Sequence, residues 1–457
     1  MTYRILANCV VGLGFSRRGF DAGLAARPDL VGCDAGSADF GPAPLGSGSD
    51  PKSETAVLRD LRLMVAGSAD VGAPLVIGSC GGAGDDPHLG RYVDYVDRIC
   101  RELGTRRRVA VIHARQDKAA VRQAVRRGGT SPLGAIPPLA VADVDSSAAI
   151  VAMMGATPIG DALAGGADIV LAGRAVDPAI FAAGPMLHGL PAGVSWHAAK
   201  SVDKGYLACV DPSDGSPVLA ELDADGFTLT PTKPSSRCTV QSVARITMHE
   251  NPDPYRIAQP EGEIDTEHCV YQQLDDGRSV RVTGSEFRAA GTIRVKLEGA
   301  RFVGHRKVAI IGLRDPRLLA DLDGFLAEFQ AKLARSVDSL GIERSSWSLR
   351  WRQYGRNAVL GAAEPMRDVP PREVGLVLDV VADTAQTAEL VLRKAGPIGS
   401  RLDRLGNLGG GGNFAYPFSP NILDGGQAYE WSIWHLMDAP DGVAPFATEF
   451  VDLGVGR

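Results

Sequence analysis

Two hydrophobic periods alternate along this chain. Short continuous apolar runs end in glycine, and stretches with apolar residues every third or fourth position follow them. Tyr3 to Gly12 reads as a buried first strand, Ser16 to Ala26 as a helix and Leu30 to Cys33 as a second strand. Ser53 to Ala66 carries Ala56, Val57, Leu61 and Met64 at helical spacing. The pattern is sharpest between Pro74 and Leu103. There the run Leu75-Val76-Ile77 breaks into Gly78, Gly81, Gly82 and Gly84, and Leu89, Tyr92, Val93, Val96, Ile99, Cys100 and Leu103 resume at helical spacing. Asp86 is placed as N-cap and Pro87 as the first helical residue. Arg108 to Ile112 is the next strand and Gln116 to Val125 the next helix. After a linker near Ser131 to Pro138, Ser146 to Leu163 reads as a helix interrupted at Pro158. Asp168 to Ala172 is a strand, and Ala179 starts another helix. Strand, glycine loop and helix in repetition predict a doubly wound α/β domain over residues 1–200, with a Rossmann-like, mostly parallel sheet.

The period changes after residue 200. Gly and Pro punctuate short β-prone pieces, among them GFTLTPT and VQSVARITMHE, which predicts a β-rich module or insertion over 201–289. From Ala290 the order is β-β-α-β-β-α. Thr292 to Leu297, Lys307 to Ile311, Trp347 to Gln353 and Val374 to Val381 are strands. The helices begin at Asp315-Pro316 and Thr384. This is the pattern of a split two-layer α+β domain over 290–457. It ends in the glycine-rich tail Asn407-Leu-Gly-Gly-Gly-Gly-Asn413-Phe-Ala-Tyr-Pro-Phe-Ser-Pro420.

Composition narrows the class. Lys and Arg number 48 against 54 Asp and Glu, a net charge of −6, which argues against nucleic acid as the main partner. The seven cysteines include no CxxC pair, as expected for reduced thiols in the cytoplasm. The N-terminus has no charged-then-apolar leader, and no apolar run approaches a membrane span.

Candidate chemistry gathers where strands end. The loop at Gly81, Gly82 and Gly84 presents backbone N–H groups at a helix start, which favour an anion. It is neither GxxxxGK[ST] nor GxGxxG, so neither a P-loop nor a dinucleotide fingerprint is present. Asp85 and Asp86 could ligate a divalent metal ion, or Asp86 could simply cap the helix; no cofactor is otherwise expected. Cys80 lies beside that helix start, as a lowered-pKa thiol or as a small buried apolar residue. Asp34 and Asp39 flank a strand-end loop that suits catalysis or an Asx-type turn. Arg174 is the best anion clamp in the chain, or a salt-bridge partner of Asp177. His249 and Glu250 point to opposite faces if they lie on a strand, and a loop removes that objection. The expected roles are proton transfer by Asp39, Asp85 and His249, with substrate held by Gly81, Gly82, Gly84, Arg174, Asp177, Gly411 and Asn413. Replacing Arg174 by Ala is expected to weaken substrate binding with the melting temperature nearly unchanged. In the tail, Phe414, Tyr416 and Phe418 share one face of an extended segment and are expected to cap the site, with a surface hinge as the rival.

Several segments together resemble the acyclic terpene utilisation family of bacterial citronellol and branched-acid degradation. They are GATPIGDALAGGADIVLAGRAVDPAIFAAGPMLHG at 155–189, HENPDPYRIAQPEGEID at 249–265, and the run from VRVTGSE through IRVKLEGARFVGHRKVAIIGLRDP ending at 316. The likeness covers roughly residues 1–320 and carries over no catalytic residue. It implies a catabolic enzyme or pathway protein for carboxylic acids or their CoA thioesters. Combined with the strand-end carboxylates and Arg174, it leads to the expectation of acid–base chemistry of the lyase or hydratase type on a small or branched carboxylate or acyl-CoA. The alternative is a non-catalytic acyl-CoA or carboxylate-binding subunit. Homo-oligomerisation is compatible with either.

Overall fold

The computed structural model describes residues 2–8, 10–211, 215–366, 368–402, 414–440, 442 and 445–455. It is a mixed α/β structure, 35% helix and 31% strand, with a large, partly parallel central sheet and further sheets around it. The chain forms two compact units, residues 1–301 with 431–457, and residues 302–430.

The first unit is built on a ten-stranded sheet. Its core is five parallel strands in the order Tyr3–Ala7, Leu30–Gly36, Leu75–Gly82, Ile169–Ala172 and Arg106–Ile112. These strands read as near-continuous apolar runs because helices cover both faces. Successive side chains go to opposite faces. Leu6, Val31, Leu75, Ile77, Val109, Ile169 and Leu171 pack with the helices Arg17–Ala25, Glu54–Val71 and Asp86–Leu103. Ile5, Leu30, Val76, Ala110, Val170 and Ala172 pack with the helices Ala156–Ala164, Ala179–Leu187 and Ala192–Val202. Antiparallel strands extend both edges. Val218–Leu222, Gly226–Pro231, Val280–Thr283 and Val270–Gln273 continue from Tyr3–Ala7, and Thr448–Gly454 pairs with Arg106–Ile112. A separate antiparallel sheet, Arg256–Gln259, Gly262–Asp265 and Glu286–Ala289, is fastened by Phe287, whose ring stacks 6.0 Å from Trp196.

Two local expectations are corrected. Ser146–Leu163 is not one helix. A short helix Val141–Ser146 is followed by the strand Ala149–Met153, paired antiparallel with residues 296–300, and only then by the helix Ala156–Ala164. Ile150 and Val151 are β-branched and find a ladder partner far along the chain. Pro158 causes no break because it lies in the first turn, where its missing N–H would have no intrahelical acceptor. VQSVARIT is a helix, Val240–Thr247, rather than a β piece. Thr239 and Ser242 cap it reciprocally, with the Ser242 N–H donating to Thr239 Oγ1 at 3.1 Å and the Thr239 N–H to Ser242 Oγ at 2.9 Å. Val243 and Ile246, a helical step apart, carry its buried side.

The second unit is a two-layer structure. The later part of the long strand Arg294–Leu313 pairs antiparallel with Val374–Ala382, which pairs with Trp347–Tyr354. The helices Leu322–Asp338 and Ala385–Ser400 cover one face, closing a core of Phe325, Phe329, Leu333, Leu376, Leu378 and Val391. Gly411 and Asn413 lie outside the described residues. Phe414 and Tyr416 pack against this unit's own core, with Phe414 5.7 Å from the Phe329 ring, whereas Phe418 is exposed. Two of the three aromatics expected to cover a site are therefore part of the packing of residues 302–430.

Candidate active site

In the first unit, the carboxyl ends of Leu30–Gly36 and Ile169–Ala172 open onto a cavity of about 330 Å³, the end of an α/β sheet at which ligands bind. Asp39, Arg174, Asp177 and His249 all line it. The helix Ala192–Val202 and the turn after it add Lys200, Asp203 and Lys204, and the long strand adds Lys296. His249, Glu250 and Asn251 follow the helix Val240–Thr247 in an irregular turn in which Glu250 has φ +58°. That turn lets His249 and Glu250 face the same space, with His249 Nε2 3.5 Å from Glu250 Oε1.

Ion pairing sets the electrostatics. Arg174 is buried and forms a two-pronged pair with Glu298, Nε to Oε2 at 3.0 Å and Nη2 to Oε1 at 3.2 Å. Lys296 meets the same carboxylate at 2.8 Å and lies 3.2 Å over the Trp434 ring. Burial by itself raises the Glu298 carboxyl, but Arg174 and Lys296 outweigh it and hold it below its ordinary range. Burial likewise pulls the Lys296 ammonium down, against the opposing effect of Glu298. Lys204 donates to Asp177 at 2.7 Å and lies 4.0 Å from Asp34 Oδ2, and Lys200 donates to Asp203 at 2.9 Å. Burial opposes the charge on Lys204, yet Asp177, Asp34 and Asp203 together raise its pKa.

Asp34 is a perturbed carboxyl beside this cluster. It is 1% exposed; Oδ1 accepts the Gly36 N–H at 3.3 Å, and no hydrogen bond reaches Oδ2. Burial first, and then the neighbouring Asp177, push its pKa up to about 7, against the pull of Lys204 and Arg174. A carboxyl poised near neutrality can hold and release a proton at working pH, as a general acid–base group must.

Strain gathers at the same place. Three described non-glycine residues have positive φ, Arg27, Ser79 and Glu250. Glu250 lines the cavity, and Ser79, at φ +47°, holds Arg174. Its Oγ donates to Ala175 O and accepts from Ala175 N, both at 3.2 Å, with Arg174 Nη1 at 3.4 Å.

The remaining expected site residues are placed elsewhere. Asp85, not Asp86, is the N-cap of Asp86–Leu103, and its carboxylate accepts from Arg115 Nε at 2.8 Å. Asp86 Oδ1 is 2.8 Å from His113 Nδ1. Among the described residues no group of three or more His, Cys, Asp or Glu could hold a metal ion. Cys80 is buried, and burial raises its thiol well above its ordinary range. Gly81, Gly82 and Gly84 are absent from the cavity wall and allow close packing behind it. A Cβ on Gly81 would press first on the His88 Cβ, and one on Gly84 would overlap the backbone of Gly173 and Arg174. Gly84→Ala also meets φ +66°, so its stability is expected to fall by at least roughly 1–3 kcal/mol from backbone conformation alone, read as a lowered urea midpoint. A midpoint equal to wild type would mean that the loop does not pack on Arg174 in this way.

Sequence reading missed Lys204, Lys296 and Glu298. Lys296 and Glu298 stand at alternate positions of one strand and so share a face, and Lys200 and Lys204 are a helical turn apart. Both spacings were signals, but neither revealed that the two groups meet around Arg174 and Asp177.

Residues 54–196 match the family model of the acyclic terpene utilisation family protein AtuA, in support of the resemblance drawn from the sequence. No curated protein and no solved structure matches the chain significantly. Among the described residues no helix is long and apolar enough to cross a membrane.

Proposed function

We propose that the cavity is the active site of a catabolic enzyme that moves a proton on a small or branched carboxylic acid or its CoA thioester, by lyase or hydratase chemistry. The setting is acyclic terpene catabolism, to which the match over residues 54–196 points. The observation that carries the chemistry is Asp34, a buried carboxyl near neutrality behind the Lys204–Asp177 pair. In this reading Lys204 and Lys296 donate to the carbonyl or carboxylate oxygen and stabilise the negative charge that develops there. Asp177 takes the proton from the substrate, and Asp34 shares the charge of the Lys204–Asp177 pair. Asp39 and His249, which also line the cavity, serve the leaving or entering hydroxyl. The volume of about 330 Å³ is at the small end of ligand sites and suits an acyl group, leaving a thioester carrier outside.

The reading is tested with a graded set of branched carboxylates and their CoA esters. Each is screened by thermal shift, and each stabilising compound is incubated in D₂O and analysed for deuterium uptake beside the carbonyl and for hydration or dehydration products. Turnover by wild type, with stabilisation lost in Lys204→Gln, is the expected result. One observation favours the alternative of a non-catalytic carboxylate- or acyl-CoA-binding subunit: Arg174, Lys200, Lys204 and Lys296 each already face a carboxylate partner. Stabilisation by a ligand with neither exchange nor product would decide for that subunit.

A further inference from the structure

The segment leaving Lys204 and the segment leading to His249 meet at two cysteines. Cys209 follows the short turn Gly205–Ala208, and Cys238 stands just ahead of the helix Val240–Thr247 that delivers His249 to the cavity. The two are opposed across an isolated antiparallel bridge. The flanking bond, Val210 N–H to Arg237 O at 2.9 Å, marks them as a non-hydrogen-bonded pair. At such a pair the Cα atoms approach to about 4.5 Å and the side chains are closest. A disulfide spans Cα separations of about 4.4–6.8 Å, so the spacing of such a pair falls within its range. Both thiols are reduced and buried, Cys209 at 4% and Cys238 at 0% exposure.

We propose that Cys209 and Cys238 are a reversible oxidation site, forming a disulfide with a peroxide as oxidant and thereby tying the Lys204 segment to the His249 segment of the cavity. Cys209, the less deeply buried, attacks the peroxide as thiolate. The O–O bond breaks, one water leaves, and Cys209 becomes a sulfenic acid. The Cys238 sulfur then attacks that sulfur and expels the second water. Two thiols and one hydrogen peroxide give one disulfide and two waters, each sulfur losing one electron and the peroxide gaining two. A dithiol reductant reverses the bond. The neighbouring Cys209, and then burial, raise the Cys238 pKa above its ordinary range.

The test needs no substrate and is independent of the proposed function. Full-length protein is treated with hydrogen peroxide, alkylated in denaturant and digested with trypsin without reduction. Cleavage after Lys204, Arg237 and Arg245 puts the two cysteines on separate peptides. The expected result is a cross-linked 205–237/238–245 pair that disappears with dithiothreitol. Hydrogen exchange over 240–251 slows in the oxidised wild type and is unchanged by peroxide in Cys238→Ala and Cys209→Ala. Recovery of Cys209 and Cys238 as thiols or sulfinic acids after the other cysteines have oxidised would overturn the site. A cross-link that leaves exchange over 240–251 unaltered would overturn its effect on the cavity.

Discussion

Glu298→Ala is expected to lower the unfolding free energy by about 3–5 kcal/mol, the cost of leaving buried charge without its partner. Glu298 is 2% exposed and serves two cations, Arg174 and Lys296. Without it, both cations lose their shared ion-pair partner, leaving Arg174 only the more distant charges of Asp177 and Asp34 and Lys296 the Trp434 ring. Arg174→Ala is milder, because Lys296 still neutralises Glu298, but it is not neutral. The expectation that removing Arg174 leaves the melting temperature nearly unchanged does not hold for a side chain 5% exposed in a two-pronged ion pair. The double variant Arg174→Met, Glu298→Met is expected to recover much of the loss, since well-packed apolar replacements of buried pairs are often tolerated. Denaturant unfolding of the three variants checks this. A Glu298→Ala midpoint within error of wild type would mean that the pair does not form.

The second large effect is a pH dependence carried by Asp34. Its pKa in the folded chain is about 7, against an ordinary unfolded value of about 3.9. Between these values the folded state binds the extra proton, so this group's contribution is fully present below about pH 4 and is lost as pH rises through 7. Asp34→Asn removes that loss. Relative to wild type, the variant should gain on the order of 2–4 kcal/mol between pH 4 and pH 8. Urea titrations at pH 5 and pH 8 measure the difference directly. Parallel behaviour of the two proteins would place the Asp34 pKa near its ordinary value and remove the main support for acid–base chemistry here. If the cavity is catalytic, the same substitution should also shift the pH dependence of turnover, because Asp34 shares the charge of the Lys204–Asp177 pair.

Local order was legible in the chain wherever a side-chain period coincided with burial. The strands at Leu30, Leu75 and Ile169 and the helix Asp86–Leu103 follow directly from apolar runs and helical spacing, because a parallel strand covered on both faces must be apolar throughout. The same logic misread Ala149–Met153 and Val240–Thr247. Over five to eight residues an apolar run does not distinguish strand from helix, and the deciding contacts, the ladder to residues 296–300 and the Thr239–Ser242 cap, are respectively long-range and a matter of side-chain geometry. Arg174, Asp177 and Asp39 could be singled out by residue type and strand-end position, and His249 by residue type alone. Tertiary structure alone decided that these four share one cavity while Asp85 turns to Arg115, and that Arg174 pairs with Glu298 rather than Asp177. Periodicity reports which face of an element is buried, whereas an ion pair between residues 124 positions apart depends on how strands are ordered in space.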